Sequence, residues 1–485
     1  MFMKRKALLA LVLLLCTQSF AFAKDGYHIQ LKFSNKLEAE DSIAFLAHYY
    51  AKGMPTIYKT DSARIKNGVA VFNSKDFTLG GIYIIMLSDH KTYFEFLLNN
   101  GDDMGITANT ETSPVNLTFK NSIENDGFQE YTNFIKGYGE KQRSLMSDYS
   151  AAKTAKDSAS IREKINTSSK ELTAYRRSYV KSHPGSLLSA IFNALEIPEV
   201  PEGKHYLEDG KTVDSGFAYA YYKAHYWDHF NFQDDRLINT PIYDARLDEY
   251  VTKETYPAPD SIEYEADRLL TKTRGTKELF KYTLSWFANF AETSKIMGMD
   301  EVFVYLVENY YMKGDATWLN NEDLNKYIDR AMKIAPNVIG NVAPEVKLVD
   351  IDNKEHKLSD VKAKYTILVF WSADCGHCQH EIPLLDSVYN AELKQKGTKV
   401  FAVRTEGDEK KWQEFIKKNN LGDWINVYDP ERKSDYISKY DVYSTPVIYV
   451  LDEKKIIRGK RLDHSTIPEV IDMLERKEKK AKSKS

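Results

Sequence analysis

Two cysteines separated by two residues, Cys375 and Cys378, are the side chains of this chain best equipped for chemistry. They lie in Trp371-Ser372-Ala373-Asp374-Cys375-Gly376-His377-Cys378, where an apolar run from Tyr365 to Trp371 gives way to a helical pattern from about Gly376 to Gln395. A C-x-x-C pair can cycle between dithiol and disulfide, bind a metal or close a small structural loop. The surrounding residues separate these chemistries. Haem attachment needs a histidine directly after the second cysteine, and Gln379 stands there. A structural zinc needs four ligands, and beyond the pair only His380 and a distant residue could complete the set. An inert disulfide across so short a loop removes little chain entropy and has no need of a strand end.

Redox cycling does use that placement. A thiolate at a helix N-terminus meets unpaired backbone N–H groups and the positive end of the helix dipole, so its pKa falls. Residues i and i+3 share a helix face, which lets the second cysteine reach a mixed disulfide formed by the first. Cys375 is therefore expected to attack, and Cys378, one turn further in, to resolve. His377 can add a positive charge or a hydrogen bond, while the carboxylate of Asp374 opposes thiolate formation. No metal and no cofactor are implied.

The N-terminus sets the compartment. Lys4-Arg5-Lys6 is followed by an apolar run from Ala7 to Leu15 and by Ala21-Phe22-Ala23 ahead of Lys24. These are the charged, apolar and small-x-small parts of a cleavable secretory signal over residues 1–23. The apolar run is too short to span a bilayer, and no later stretch approaches about 18 uncharged apolar residues. The competing reading is a lipoprotein acylated at Cys16, but Leu15 stands where a small residue is wanted. Export to the periplasm or cell envelope with no transmembrane anchor is the expectation. Cleavage also removes Cys16, so the mature chain keeps only Cys375 and Cys378 of its three cysteines.

The elements that must position the pair occupy the last third of the chain. With 485 residues, a prior of about three domains applies. Hydrophobic residues make up 42% and charged residues 28%, which excludes wholesale disorder. Lys+Arg number 67 against 70 Asp+Glu, a net charge of −3 that argues against a nucleic-acid partner. So few cysteines exclude a disulfide-stapled scaffold. The 32 tyrosines and 23 phenylalanines supply core and interface area, with a sugar- or peptide-binding surface as the alternative.

From Tyr27 to Phe119 apolar residues alternate, as in Tyr27, Ile29, Leu31 and Phe33, with turn signals at Asn67-Gly68, Gly80-Gly81 and Asn100-Gly101. From Glu124 to Ala335 the period turns helical: Leu279, Phe280, Leu284, Phe287 and Ala291 form one stripe, and Leu172, Tyr175 and Tyr179 another. Tyr219, Tyr221, Tyr222 and Tyr226 read as helix packing. Ala335 to Pro344 reads as a linker, after which strands and helices alternate up to a last helix near Thr466–Lys477. The expected fold is multidomain: an antiparallel β-sandwich-like domain over 24–120, an α-helical region over 121–335, an α/β domain over 336–478 and a basic tail over 479–485.

Residues 343–478 resemble a thioredoxin-fold domain of the TlpA/ResA type, the exported thiol–disulfide oxidoreductases. The resemblance rests on Phe370-Trp371, on Cys375-Gly376-His377-Cys378, on Glu381-Ile382-Pro383-Leu384 and on Ser444-Thr445-Pro446-Val447. It implies a redox-active disulfide between Cys375 and Cys378, a cis peptide at Pro446 facing the cysteines, and a Thr445 backbone free to pair with an extended substrate. It places Trp371 and His377 on the substrate side, Pro383 at a kink in the active-site helix, and Glu381 in the active-site cavity as a proton acceptor or donor. Val369 stands where thioredoxin carries a buried acid, and Asp374 where the family usually has a bulky aromatic. The implied partners are protein thiols and disulfides as substrates and a membrane-linked electron donor. The β and helical segments resemble, more loosely, uncharacterised segments that precede such domains. They sustain a rival reading, an envelope binding protein with a mainly structural thioredoxin domain.

Overall fold

The computed structural model describes residues 25–36 and 43–483; the expected signal segment and Cys16 lie outside these described residues. The chain divides into two compact units. One runs to Glu254 and takes in Lys272–Leu279; the other holds Thr255–Thr271 and the chain from Phe280 onward. Among the described residues no helix is long and apolar enough to cross a membrane.

Among the described residues of the first unit, eight strands build two four-stranded sheets. β1 (Tyr27–Phe33), β4 (Val69–Ser74), β7 (Asp103–Asn109) and β8 (Asn116–Lys120) form one in the order β4-β1-β7-β8. β2 (Ile43–His48), β3 (Tyr58–Arg64), β5 (Gly81–Leu87) and β6 (Tyr93–Leu98) form the other in the order β3-β2-β5-β6. Alternate residues of both sheets, among them Ile29, Leu31, Phe72, Ile85, Phe96 and Ile106, meet in one core. The expectation of a wholly antiparallel domain is corrected at one place: β1 and β7 pair in parallel. A parallel pair needs a long crossover rather than a hairpin, and the chain between them supplies it by building the second sheet.

Helices α1 (Ile123–Ala151), α2 (Ala155–Ser182) and α3 (Leu187–Ala194) follow. The stripe Leu172, Tyr175, Tyr179 is half-buried, with Tyr175 stacked on Phe134 at 4.6 Å. In α4 (Phe217–His225), by contrast, no residue is buried. Of the tyrosines read as packing there, only Tyr226, just past the helix, enters the core, while Tyr219 is exposed.

The second unit joins helices to a seven-stranded sheet. Its helical part holds most of α6 (Pro259–Thr273) and α7 (Glu278–Thr293), then α8 (Asp300–Leu306) and α9 (Asn321–Ile334); α5 (Tyr243–Lys253) belongs to the first unit. The sheet runs β10-β9-β13-β12-β11-β14-β15, from β9 (Lys347–Val349), β10 (Glu355–Lys357), β11 (Tyr365–Trp371), β12 (Thr398–Arg404), β13 (Ile425–Tyr428), β14 (Val447–Asp452) and β15 (Ile457–Lys460). β11 is buried along its whole length. Ile367, Val369 and Trp371 feed the core on one face of the sheet, Leu368 and Phe370 the core on the other. This two-sided burial is why the sequence there is continuously apolar rather than alternating. Helices α10 (Gly376–Val388), α11 (Glu409–Lys418), α12 (Tyr436–Lys439) and α13 (Ile467–Lys482) complete the unit.

Two boundaries differ from expectation. Residues 335–344 do not hang as a free linker: the Gly340 N–H donates to Ile457 O, the Ile457 N–H to Asn341 O, and the Ala343 N–H to Lys455 O, so the segment is docked on β15. The last helix continues to Lys482 rather than stopping near Lys477. Ion pairs from Asp472 to Lys396 and from Glu475 and Glu478 to Lys364 tie it down, and lysines at a helix C-terminus suit its dipole.

Lys460 at the end of β15 is buried and gives its ammonium to Asp300 of α8 and Asn337. Lys460→Met is expected to destabilise the unit by about 2–4 kcal/mol, because Asp300 loses its buried counter-charge. A urea-unfolding midpoint equal to that of the wild type would contradict this role.

Candidate active site

The site is built where β11 stops. The Thr405 N–H donates to Trp371 O at 2.9 Å, extending the pairing of β11 with β12 to the last strand residue. Ser372 then turns the chain: its Oγ accepts from the Asp374 N–H at 3.2 Å and its carbonyl from the Cys375 N–H at 3.3 Å. Cys375 follows as the N-cap of α10, still in an extended conformation. Its sulfur therefore sits at the helix mouth, where the first N–H groups have no helical partner.

Both cysteines are free thiols, Cys375 partly buried and Cys378 fully buried. The Cys375 Sγ donates to the Thr445 carbonyl at 3.2 Å. Burial pushes its pKa up. Hydrogen bonding from the Thr445 side chain, from the N–H and thiol of Cys378 and from the His377 N–H outweighs burial, and the net shift is downward. Cys378 goes the other way: burial, reinforced by the neighbouring Cys375, pushes it up to about 12. It belongs to the apolar core with Trp371, Ile382 and Leu385. One sulfur is thus prepared to carry charge and the other to keep its proton until that charge is gone.

The remaining predicted residues are distributed as follows. The Thr445–Pro446 peptide is cis and lies against Cys375 through the Thr445 carbonyl. Pro383 stands inside α10, where its missing N–H leaves the Gln379 carbonyl without a helical donor. Trp371 is corrected: its side chain is fully buried and packs on Phe415 at 5.2 Å, so it supports the site from beneath and cannot touch a substrate. His377 is exposed, and what it contributes to Cys375 is its backbone N–H. Glu381 is mostly buried and occupied. Its two oxygens accept from the backbone N–H and the Nδ1 of His464, the latter at 2.9 Å.

Asp374 faces away from the sulfur. Its Oδ1 takes the Lys411 ammonium at 2.7 Å and its Oδ2 the Asp408 N–H at 3.1 Å, and Lys411 holds its carboxyl below the usual range. The opposition to thiolate formation expected of Asp374 is therefore spent on α11. Gly407 makes room for this: its φ is +93°, and a Cβ there would meet Asp374 Oδ2 at 2.4 Å. Lys411 and His464 are the two participants that sequence reasoning missed. The Asp463 side chain caps the turn before α13 by accepting the Ser465 and Thr466 N–H groups. That signal could have placed His464 at a helix start, but not beside Glu381.

Residues 339–460 match the AhpC/TSA family, and residues 152–337 match a domain of unknown function, DUF5106. The chain is similar to the thiol-disulfide oxidoreductase ResA of Geobacillus thermodenitrificans, with 29% identity over 125 residues, 25% of this chain and 70% of that protein. ResA of Oceanobacillus iheyensis is 33% identical over 87 residues, 17% of this chain and 45% of that protein. Among solved structures, the domain of a possible thiol-disulfide isomerase from Cytophaga hutchinsonii shares 39% identity at a TM-score of 0.28, covering 31% of this chain and 99% of that one. A thioredoxin-like protein from Bacteroides caccae shares 19% identity at a TM-score of 0.46, covering 57% of this chain and 98% of that one.

The opposed shifts of the two sulfurs make a direct prediction. Iodoacetamide should label Cys375 with a pH midpoint below the ~8.5 of a free thiol, rising with pH as the thiolate forms, while Cys378 stays unlabelled in the folded protein. Equal labelling of both cysteines would contradict the asymmetry.

Proposed function

We propose, from a C-terminal domain that belongs to the AhpC/TSA family of the thioredoxin fold, that this chain is an exported thiol–disulfide oxidoreductase. It exchanges electrons with protein disulfides through Cys375 and Cys378. The observation that carries the reading is the polarised pair: an accessible sulfur stabilised as thiolate at the mouth of α10, with a buried, protonated partner one turn in. The charged, apolar and small-x-small N-terminus supports export.

The geometry supports the following steps. The Cys375 thiolate attacks one sulfur of a substrate disulfide, that S–S bond breaks, and the other substrate sulfur leaves as a thiolate that takes a proton. Attack of Cys378 on the resulting mixed disulfide releases the first substrate sulfur and leaves a Cys375–Cys378 disulfide. Two electrons have passed to the substrate, and a thiol donor on the membrane side restores the dithiol. Cys378 must lose a proton as it attacks, although burial holds that proton tightly. Glu381, three residues on along the same helix, is the acceptor we assign, with His464 fixing its carboxylate. The Thr445 backbone aligns the substrate as an extended strand.

The helix mouth and the hydrogen bonds to Cys375 stabilise the reduced form, which makes the disulfide more oxidising than that of a plain dithiol. We expect a potential of roughly −190 to −250 mV, between protein disulfide isomerase and thioredoxin. That poise suits a reductase or isomerase. A glutathione titration giving about −120 mV would instead mark a strong oxidant.

Reduced protein should accelerate dithiothreitol-driven reduction of insulin, and Cys375→Ser should abolish the effect. A wild type no faster than that variant would leave the chain a binding protein. Cys378→Ser should accumulate mixed disulfides, which also makes it the variant with which to trap natural substrates. Glu381→Gln should slow the resolving step about tenfold or more and leave Cys375 alkylation unchanged; an unaltered turnover would remove Glu381 from the mechanism.

A further inference from the structure

The loop that leads to Thr445 is held by a charge buried beneath it. Asp441 is 2% exposed and takes a left-handed backbone, φ +52°, that is unfavourable for a residue with a side chain. Its carboxylate is divided between two guanidinium groups. Oδ1 accepts from Arg330 Nη1 at 2.6 Å, and Oδ2 accepts from Arg461. Arg330 belongs to α9, in the helical segment ahead of the sheet, 111 residues from Asp441 along the chain. The same Nη1 donates to the Tyr443 hydroxyl at 3.0 Å, and the guanidinium lies over the Tyr443 ring at 5.0 Å. A second tie from that segment lands on the start of the loop, where Asn337 Nδ2 donates to Lys439 O at 3.0 Å. The helical segment therefore grips the loop at Lys439, Asp441 and Tyr443, and two residues later comes Thr445, whose carbonyl accepts from the Cys375 thiol and whose side chain favours the Cys375 thiolate.

Resting on the oxidoreductase reading, we infer that Arg330 is a positioning residue for the redox site: by anchoring Asp441 and Tyr443 it fixes the loop that presents Thr445 to Cys375. A buried carboxylate that loses one of its two guanidinium donors is destabilised even with Arg461, the Tyr443 hydroxyl and the Lys460 ammonium still beside it, and a loop whose residues Tyr443 and Ser444 are already exposed can relieve this by moving toward water. Arg461 cannot replace Arg330, because it serves the other oxygen and is itself half exposed. The other groups around the guanidinium are Glu292, which accepts from Nε at 3.3 Å at the surface, and Lys333, whose ammonium lies 6.0 Å from the Tyr443 ring. Neither reaches Asp441 in Arg330's place. The helical segment thus acts on the chemistry without touching a reacting atom, and its fusion to the sheet domain has a function beyond spacing.

The test uses the full mature chain. Arg330→Met should move the pH midpoint of Cys375 alkylation upward, so that the rate at pH 6.5 falls about fivefold, and should lower insulin-reduction kcat/KM by a similar factor. Adding Asp441→Asn should restore at least half of both losses, since the buried group that lost Arg330 then carries no charge. Glu292→Gln, which removes only the surface partner, should match the wild type. If Arg330→Met does not fold, Arg330→Lys carries the test with a smaller shift in the same direction. Wild-type alkylation profiles in the Arg330 variants overturn the inference while leaving the oxidoreductase reading intact. A wild type whose Cys375 alkylates no faster than a free thiol overturns the oxidoreductase reading itself.

Discussion

A sulfur can hold negative charge only where donors already point at it, and in this unit that place is the mouth of α10. The N–H groups of His377 and Cys378 and the side chain of Thr445 supply the donors. One turn further in, Cys378 has an apolar core around it. The same strand end determines both environments. β11 is buried on both faces, so its last residue, Trp371, is rigid, and the turn at Ser372 places the first cysteine outside the core and the second inside it. The difference in proton affinity between two chemically identical groups follows from a displacement of three residues along one helix.

Charged side chains near the pair are mostly engaged with one another. Asp374 is paired with Lys411 and the start of α11, and Glu381 is hydrogen-bonded by His464. Had Asp374 faced the sulfur, it would have opposed the thiolate that the helix mouth favours. By turning it away, the loop at Gly407 and α11 leave Cys375 to the Thr445 side chain, the Cys378 thiol and the backbone N–H groups of His377 and Cys378. The N–H dipoles are fixed by the fold and need no reorganisation when charge develops.

The unit that holds the pair is larger than a sheet with its covering helices. Lys460 reaches Asp300 and Asn337, Arg330 reaches Asp441, and residues 340–343 pair with β15. The first two ties join the helical segment before the sheet to the side on which β14 begins, the strand that opens just after Thr445–Pro446, and the third lies beside the end of that strand. Buried ion pairs add little net stability compared with apolar packing, but they are intolerant of displacement. Their effect here is to make the relation between helix α9 and the loop before β14 a definite one.

What the sequence determined was whatever depends on neighbours. The continuous apolar run of β11, the helix start at Gly376, the proline inside α10 and the alternation of β1 are local patterns, and the structure has each of them in place. The position of the cysteines at a strand–helix junction was legible for the same reason. What only the tertiary structure decided were the partners of polar side chains: Asp374 with Lys411, Glu381 with His464, Arg330 with Asp441, and the burial of Trp371 beneath the site. The parallel pairing of β1 with β7 and the docking of residues 335–344 on β15 belong with them. Periodicity records which face of an element is apolar, and it carries no information about which distant charge a side chain meets. Those meetings are fixed only when the chain has closed loops of tens to more than a hundred residues.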